Sequence, residues 1–354
     1  MALADFALVV GIDSYPGLRP LKGAEADARD FYDWVTDPAG GNVDAQNAKR
    51  IVTTDFAPLA DSADGAKPVR DHIEGFFKMV NKAAARNAQA QQGIAAGRRI
   101  YLFFSGHGFS PSLDRSGVLM ANATDDMPFN IGAQMWADRL YDGGWFEEVL
   151  LFQDACRQHF PSADVTPPFF QSRNPPQDPP RKRFYAFSAK SGLLAVERPL
   201  ANGHTRGVFT STLLEGLRLG AVDAPSGDVT TNQLKVYLES NMQKKLTDVE
   251  LEDADISKVP EVSHADPFVI VAGRPGAPRT NATFPVELRS AAPGKILNND
   301  FEVVAENFTG PPPWTAKLQR GLYQYVLPGG GTTLFKVTGA LDASQQPVVT
   351  IVSV

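Results

Sequence analysis

The sequence predicts an α/β domain built on a mainly parallel, six-stranded sheet, followed by a small all-β module. Three observations carry this. From residue 6 to about 272, short β-branched or aromatic runs alternate with longer helical patterns, as in α/β proteins. Runs such as Tyr101-Leu102-Phe103-Phe104 and Val149-Leu150-Leu151-Phe152 are apolar throughout instead of alternating, which suits strands covered on both faces. Beyond Gly273–Arg279, Gly/Pro turns separate short alternating segments, which suits a small sandwich.

Taken in order, the expected strands are Ala7–Ile12, Lys49–Thr53, Arg99–Phe104, Glu148–Gln153, Phe184–Ser188 and Pro267–Val271, each a short apolar run bounded by turn residues. The expected helices are Ala24–Val35, Pro68–Gln91, Gln134–Tyr141, Val208–Arg218 and Thr231–Lys245. In the second helix, Val69, Ile73, Phe76, Phe77 and Val80 recur at helical spacing, so that face packs on the sheet. The segment 161–180 holds seven prolines and leads into Arg181-Lys182-Arg183, so about 158–183 is expected as an extended, exposed loop. The domains are thus read as 1–272, a linker at 273–280, and a β-sandwich over 281–354, with strands expected near Phe284–Leu288, Glu302–Ala305, Tyr323–Leu327 and Thr333–Val337.

Composition narrows the function. In 354 residues, 34 basic against 40 acidic side chains give a net charge of −6, which argues against a general nucleic-acid binder. No apolar run approaches the ~20 residues of a membrane span. The first apolar run meets Asp13 with no basic segment before it or cleavage site after it, so a secretory leader is not expected and a cytoplasmic setting is. The single cysteine, Cys156, excludes an intrachain disulfide and multi-cysteine metal sites.

The chemistry-bearing motifs share one structural position. Ser105-Gly106-His107-Gly108 follows one expected central strand, and Asp154-Ala155-Cys156-Arg157 follows another. Ligands of open parallel sheets bind outside the carboxyl ends of strands. A thiol is mostly protonated at neutral pH, and an imidazole beside it favours the thiolate and can later protonate a leaving amine. The glycines beside His107 allow a sharp turn and let the Gly108 amide approach an oxyanion, with the Cys156 amide as second donor. Taken alone, a cysteine in an apolar strand reads as core and a histidine between glycines as a loop residue. Together, at strand ends 49 positions apart, they read as chemistry.

These motifs resemble the caspase-like cysteine peptidases, especially bacterial members and metacaspases, in which histidine lies about 50 residues before the cysteine. The opening Ala7-Leu8-Val9-Val10-Gly11-Ile12-Asp13-Ser14-Tyr15, the stretch Leu21-Lys22-Gly23-Ala24-Glu25-Ala26-Asp27-Ala28, and Gly207-Val208-Phe209-Thr210 followed by Leu213-Leu214-Glu215-Gly216-Leu217 extend the resemblance over residues 5–272. It implies a caspase-like α/β/α sandwich, His107 and Cys156 as the catalytic pair, and an S1 pocket lined by Asp154, Asp27 and Ser105. Two carboxylates in such a pocket would attract a guanidinium or ammonium, so cleavage after Arg or Lys is expected. An ordinary first-turn acid is the alternative reading of Asp27.

The resemblance also implies a cleavable loop after the cysteine strand, where Arg173, Arg181, Lys182 and Arg183 are candidate processing sites; a solvated basic loop is the alternative. Asp114, Asp125 and Asp126 lie roughly where some metacaspases bind calcium, but the cluster is incomplete and an acidic loop is the better explanation. No other cofactor is expected. The implied partners are protein substrates, with an activating protein or complex at the C-terminal module as a candidate; a structural brace is the simpler reading of that module. Bacterial members suggest stress, cell-death or anti-phage roles. A catalytically silent scaffold of the same fold and a separase-like Cys–His protease are the rival readings.

Overall fold

The computed structural model describes residues 3–160, 163–170, 180–199, 205–223, 226–272, 284–290, 292–297, 303–306, 308–318, 321–329, 331–337 and 349–353. The linker and Arg173 lie outside them. The chain divides into two compact units, 1–214 with 234–268 and 215–233 with 269–354.

The first unit opens with β1 (Asp5–Gly11), α1 (Ala24–Thr36), β2 (Ala48–Val52), α2 (Arg70–Gln89) and β3 (Gly97–Ser105). A small sheet of β4 (Gly108–Ser112), β5 (Arg115–Leu119) and β6 (Asn130–Ile131) follows, then α3 (Ala133–Asp142), β7 (Phe146–Asp154) and β8 (Lys182–Phe187). A hairpin of β9 (Glu197–Pro199) and β10 (Thr205–Gly207) leads directly into α4 (Val208–Glu215). The remaining elements before the C-terminal strands are β11 (Val229–Thr230), α5 (Thr231–Asn241), α6 (Asp248–Glu252), β12 (Glu261–Ala265) and β13 (Val269–Val271).

The central sheet has six strands in the order β12-β8-β7-β3-β1-β2, and all neighbouring pairs are parallel except β12 against β8. The mainly parallel sheet expected from the apolar runs is present, with one correction. Pro267–Val271 does not supply the sixth strand. That place belongs to Glu261–Ala265, while Val269–Val271 pairs with Val229–Thr230. The reason is physical: β12 is an edge strand of half-buried residues, so it lacks the apolar run that marks buried strands.

Burial confirms why the central strands read as they do. Ile100 to Phe104 and Val149 to Phe152 are withdrawn from solvent along their whole length. One face packs on α2 and α3 through Ile73, Phe77, Val80, Trp136 and Leu140. The other meets α1, where the Phe31 ring stacks on Phe103 at 4.4 Å and contacts Phe152 at 5.4 Å. The result is the three-layered α/β/α sandwich. Between residues 158 and 183, Phe169 and Phe170 pack against Trp136. β8 begins at Lys182, inside the expected loop, because the basic cluster finds partners there. Arg183 lies 3.4 Å from Asp138 and stacks on Tyr141 and Tyr185.

In the second unit, β14 (Phe284–Arg289), β15 (Lys295–Leu297), β16 (Val303–Ala305), β17 (Trp314–Leu318), β18 (Gly321–Val326), β19 (Thr332–Val337) and β20 (Thr350–Ser353) form two sheets, β17-β14-β20 and β16-β15-β18-β19. Val286, Leu288, Ile296, Trp314, Tyr325 and Val352 share one core, as a small sandwich requires.

Phe31 is fully buried between α1 and the sheet. Phe31→Ala is expected to destabilise this unit by about 3–5 kcal/mol, since the cavity left beside the Phe103 and Phe152 rings cannot close. Urea unfolding followed by Trp fluorescence measures this; a loss below ~1 kcal/mol would mean that α1 does not pack as described.

Candidate active site

Three strand ends set the geometry. In the parallel registers, Gly11 pairs with Ser105, and Ser105 pairs with Asp154. Asp13, His107 and Cys156 each lie two residues further on, so all three leave the carboxyl edge of the sheet at one level. The strand order reverses between β1 and β3, the kind of place where open α/β sheets bind ligands. The segments beyond β3 and β7 then run side by side. The Gly106 amide donates to Asp154 O at 3.2 Å, and the Ser110 amide donates to Gln158 O at 2.9 Å. A Cβ on Gly108 would stand 2.7 Å from both Ala155 Cβ and Cys156 O, so only glycine permits this approach.

His107 is held by residues that its motif does not reveal. Its amide donates to Tyr15 Oη at 3.0 Å, and the Tyr15 ring lies 4.7 Å from the imidazole. Its Nε2 is 2.7 Å from the Arg19 carbonyl. A carbonyl can only accept, so Nε2 carries a proton in this contact and Nδ1 of a neutral ring is the basic nitrogen. Gly106 leaves room for the tyrosine, because a Cβ there would meet Tyr15 Oη at 2.6 Å.

Cys156 is partly buried. Its Sγ accepts from the Ala195 amide at 3.4 Å. Burial pushes the thiol above its ordinary value, and the Asp154 carboxylate adds to the shift. The neighbouring Arg157 is fully buried and anchors the turn through Glu261 at 2.8 Å, the Leu113 carbonyl at 3.0 Å and the Phe187 ring at 4.5 Å.

The structure brings the two acids singled out by the sequence together around Gly207. A Cβ on Gly207 would fall 2.0 Å from Asp154 Oδ2 and 2.9 Å from Asp27 Oδ2. Asp27 Oδ2 accepts the Gly207 amide at 2.9 Å, while Asp154 Oδ2 accepts the Thr210 amide at 3.0 Å and its hydroxyl at 2.6 Å. Both carboxyls are raised, Asp27 by burial and then by the Asp154 charge, Asp154 by burial. Ser105, buried at the end of β3, stands level with Asp154.

Other acids complete the frame. The α1 N-terminus has no capping side chain of its own, so Asp13 Oδ1 takes the Ala24 amide at 2.8 Å and Glu197 Oε2 takes the Gly23 amide at 2.9 Å. Gly11 lets α1 come this close, since a Cβ there would lie 2.4 Å from Ala24 O. Sequence reasoning gave no role to Tyr15, Arg19, Ala195 and Glu197, and only the conformation shows one. Among the described residues, no group of three or more His, Cys, Asp or Glu side chains is placed to hold a metal ion; Asp114 is exposed and accepts from Ser112 Oγ at 2.8 Å. Of the candidate processing residues, Lys182 and Arg183 lie inside β8, while Arg181 precedes it and its carbonyl accepts from Tyr141 Oη at 3.5 Å. No helix among the described residues is long and apolar enough to cross a membrane.

An open parallel sheet that presents a histidine and a cysteine from neighbouring strand ends, over a pair of buried acids, defines a class of cysteine-dependent peptidase folds. The caspase domain model matches residues 4–264, and the chain belongs to that peptidase family. A probable protease from a Desulfuromonadales bacterium is 26% identical over 223 residues; the match covers 61% of this chain and only 26% of that protein, about a quarter of its length. Among solved structures, a Geobacter sulfurreducens protein is similar with a TM-score of 0.43 and 14% identity, covering 77% of this chain and 98% of the other. Caspase-1 from Spodoptera frugiperda gives a TM-score of 0.43 and 13% identity, covering 74% and 88%.

Asp13 gives a pH test of this frame. Burial raises its carboxyl from an ordinary 3.8 to about 6. The folded state therefore holds the proton more tightly than the unfolded chain, and stability falls as pH rises from about 4 through about 6. Asp13→Asn keeps an acceptor for the Ala24 amide and removes the titration. The stability of the wild type relative to this variant should decline over that window in urea titrations, and a constant difference would refute the assignment.

Proposed function

We propose that this chain is a cysteine endopeptidase that cuts proteins after arginine or lysine. What supports this reading is the convergence of two buried carboxylates, Asp27 and Asp154, on Gly207, at the level of the strand end that carries Cys156. A guanidinium or ammonium entering there meets two acceptors in a poorly solvated place, and an acidic side chain meets repulsion.

In the proposed reaction, Cys156 Sγ attacks the scissile carbonyl and its proton passes to His107. The Gly108 and Cys156 amides hold the oxyanion, and protonated His107 gives its proton to the leaving amine. Water then hydrolyses the thioester, with His107 as base. The Arg19 carbonyl would keep the ring oriented throughout. No cofactor enters this scheme; calcium is kept as a candidate trigger. We place the enzyme in the cytoplasm, acting on protein substrates, with self-processing in the loop after Arg173 or Arg181. Cutting after Lys182 or Arg183 would require β8 to unpair. An activating partner bound through the C-terminal module and a role in bacterial stress or anti-phage defence belong to the same proposal.

The silent-scaffold reading draws on one observation: the Ala195 amide engages the thiol, and the Gly207 and Thr210 amides already occupy an oxygen of each acid. Fluorogenic peptides with Arg, Lys or Asp at P1 separate the readings. Cleavage after Arg and Lys is expected, with a loss of at least ~10³-fold in Cys156→Ala and His107→Ala. Asp154→Asn should lower kcat/KM for P1 arginine by about 100-fold or more while sparing residual cleavage of a neutral peptide. Strict Asp preference would overturn the S1 assignment, and no cleavage by folded, processed protein would favour the scaffold.

A further inference from the structure

Asp27, one of the two acids around Gly207, already faces a cation that the chain itself supplies. Arg206, in β10, reaches back to α1, with Nη2 at 2.7 Å from Asp30 Oδ2 and Nη1 at 3.7 Å from Asp27 Oδ1. Asp27 Oδ2 is occupied by the Gly207 amide, so Oδ1 is the oxygen left for a charged ligand, and Arg206 stands in front of it.

This contact differs from a structural ion pair. Arg157 shows the structural kind: fully buried, with a carboxylate at 2.8 Å, two carbonyl acceptors and an aromatic face, although its Nε is also buried without an acceptor. Arg206 Nη1 is buried yet has no acceptor within hydrogen-bonding distance, because Asp27 Oδ1 lies too far away for one. Its firm contact is to Asp30, a half-exposed acid at the rim. Directly across the hairpin ladder stands Arg198, which is engaged with Glu250 and the Lys245 carbonyl and so offers Arg206 no partner. The guanidinium is thus anchored at the rim and only loosely engaged with the buried acid.

We propose that Arg206 is an internal competitor for the basic side chain of the substrate, occupying the cation position of Asp27 in the resting protein and yielding it when a substrate arginine or lysine enters. This rests on the proposed preference for basic residues. Asp30 gives the displaced guanidinium a partner outside the pocket, so its withdrawal does not strand a buried charge. The specificity consequence is a threshold: a side chain that cannot displace an arginine does not gain Asp27.

Arg206→Gln removes the competitor, and Arg206→Lys keeps the charge but not the fork that spans both carboxylates. Two readouts apply to each. The first is steady-state cleavage of peptides with arginine or a neutral residue at P1. The second is calorimetric binding of benzamidine to each variant in a Cys156→Ala background, which needs no turnover. Arg206→Gln is expected to lower KM for the arginine peptide about five- to tenfold with kcat within twofold, to tighten benzamidine by a similar factor, and to leave the neutral peptide unchanged, with Arg206→Lys intermediate. If Arg206→Gln folds poorly, Arg206→Lys alone carries the test, with the same direction in both readouts. Unchanged or weaker benzamidine binding in a folded variant overturns the proposal. Tighter benzamidine binding without any cleavage after arginine upholds the occupancy by Arg206 and overturns the basic-residue reading instead.

Discussion

Two carboxylates share a buried space around one glycine, and much of the first unit is arranged to make that tolerable. Burying an unpaired carboxylate costs several kcal/mol, so each must be given hydrogen bonds or a proton. Here the donors come from the backbone at Gly207 and from both donors of Thr210, which lie on the same short strand-to-helix passage. The passage can come this close only because residue 207 has no side chain. Asp27 and Asp154, far apart in sequence, therefore fix the position of β10 and the start of α4.

The same logic extends to the first helix. Gly11 admits α1 against the end of β1, and the exposed amides at its beginning are taken by Asp13 and Glu197. Glu197 belongs to β9, so the hairpin that covers the acids also caps the helix that delivers one of them. Cys156 completes the circuit through the Ala195 amide. Ala195 and Glu197, two residues apart, thus link the thiol to the α1 N-terminus.

The parallel strands were legible because burial on two faces leaves uninterrupted apolar runs, and Asp154 stood out because a carboxylate ending such a run needs partners. His107 and Cys156 were legible through their turn-forming neighbours. The edge strand β12 was not, since a half-exposed strand has no such run. The β9–β10 hairpin and the small sheet of β4, β5 and β6 are short and polar and carry no periodic signal. Tyr15 and Arg19 act through a hydroxyl and a backbone carbonyl on a histidine about ninety positions away, and a carbonyl has no residue type to recognise. Arg206 was hidden for another reason: as one base among 34 basic residues, it gains meaning only from the acids it faces.

The position of β8 carries one further implication. It lies between β7 and β12, so residues on both sides of the 161–180 segment contribute strands to one sheet. A chain severed within that segment would leave two polypeptides sharing continuous backbone pairing and a common apolar interior. They would migrate as separate bands in denaturing electrophoresis yet elute together as one particle in native chromatography, so that a nick there would change the covalent chain without dissolving the molecule.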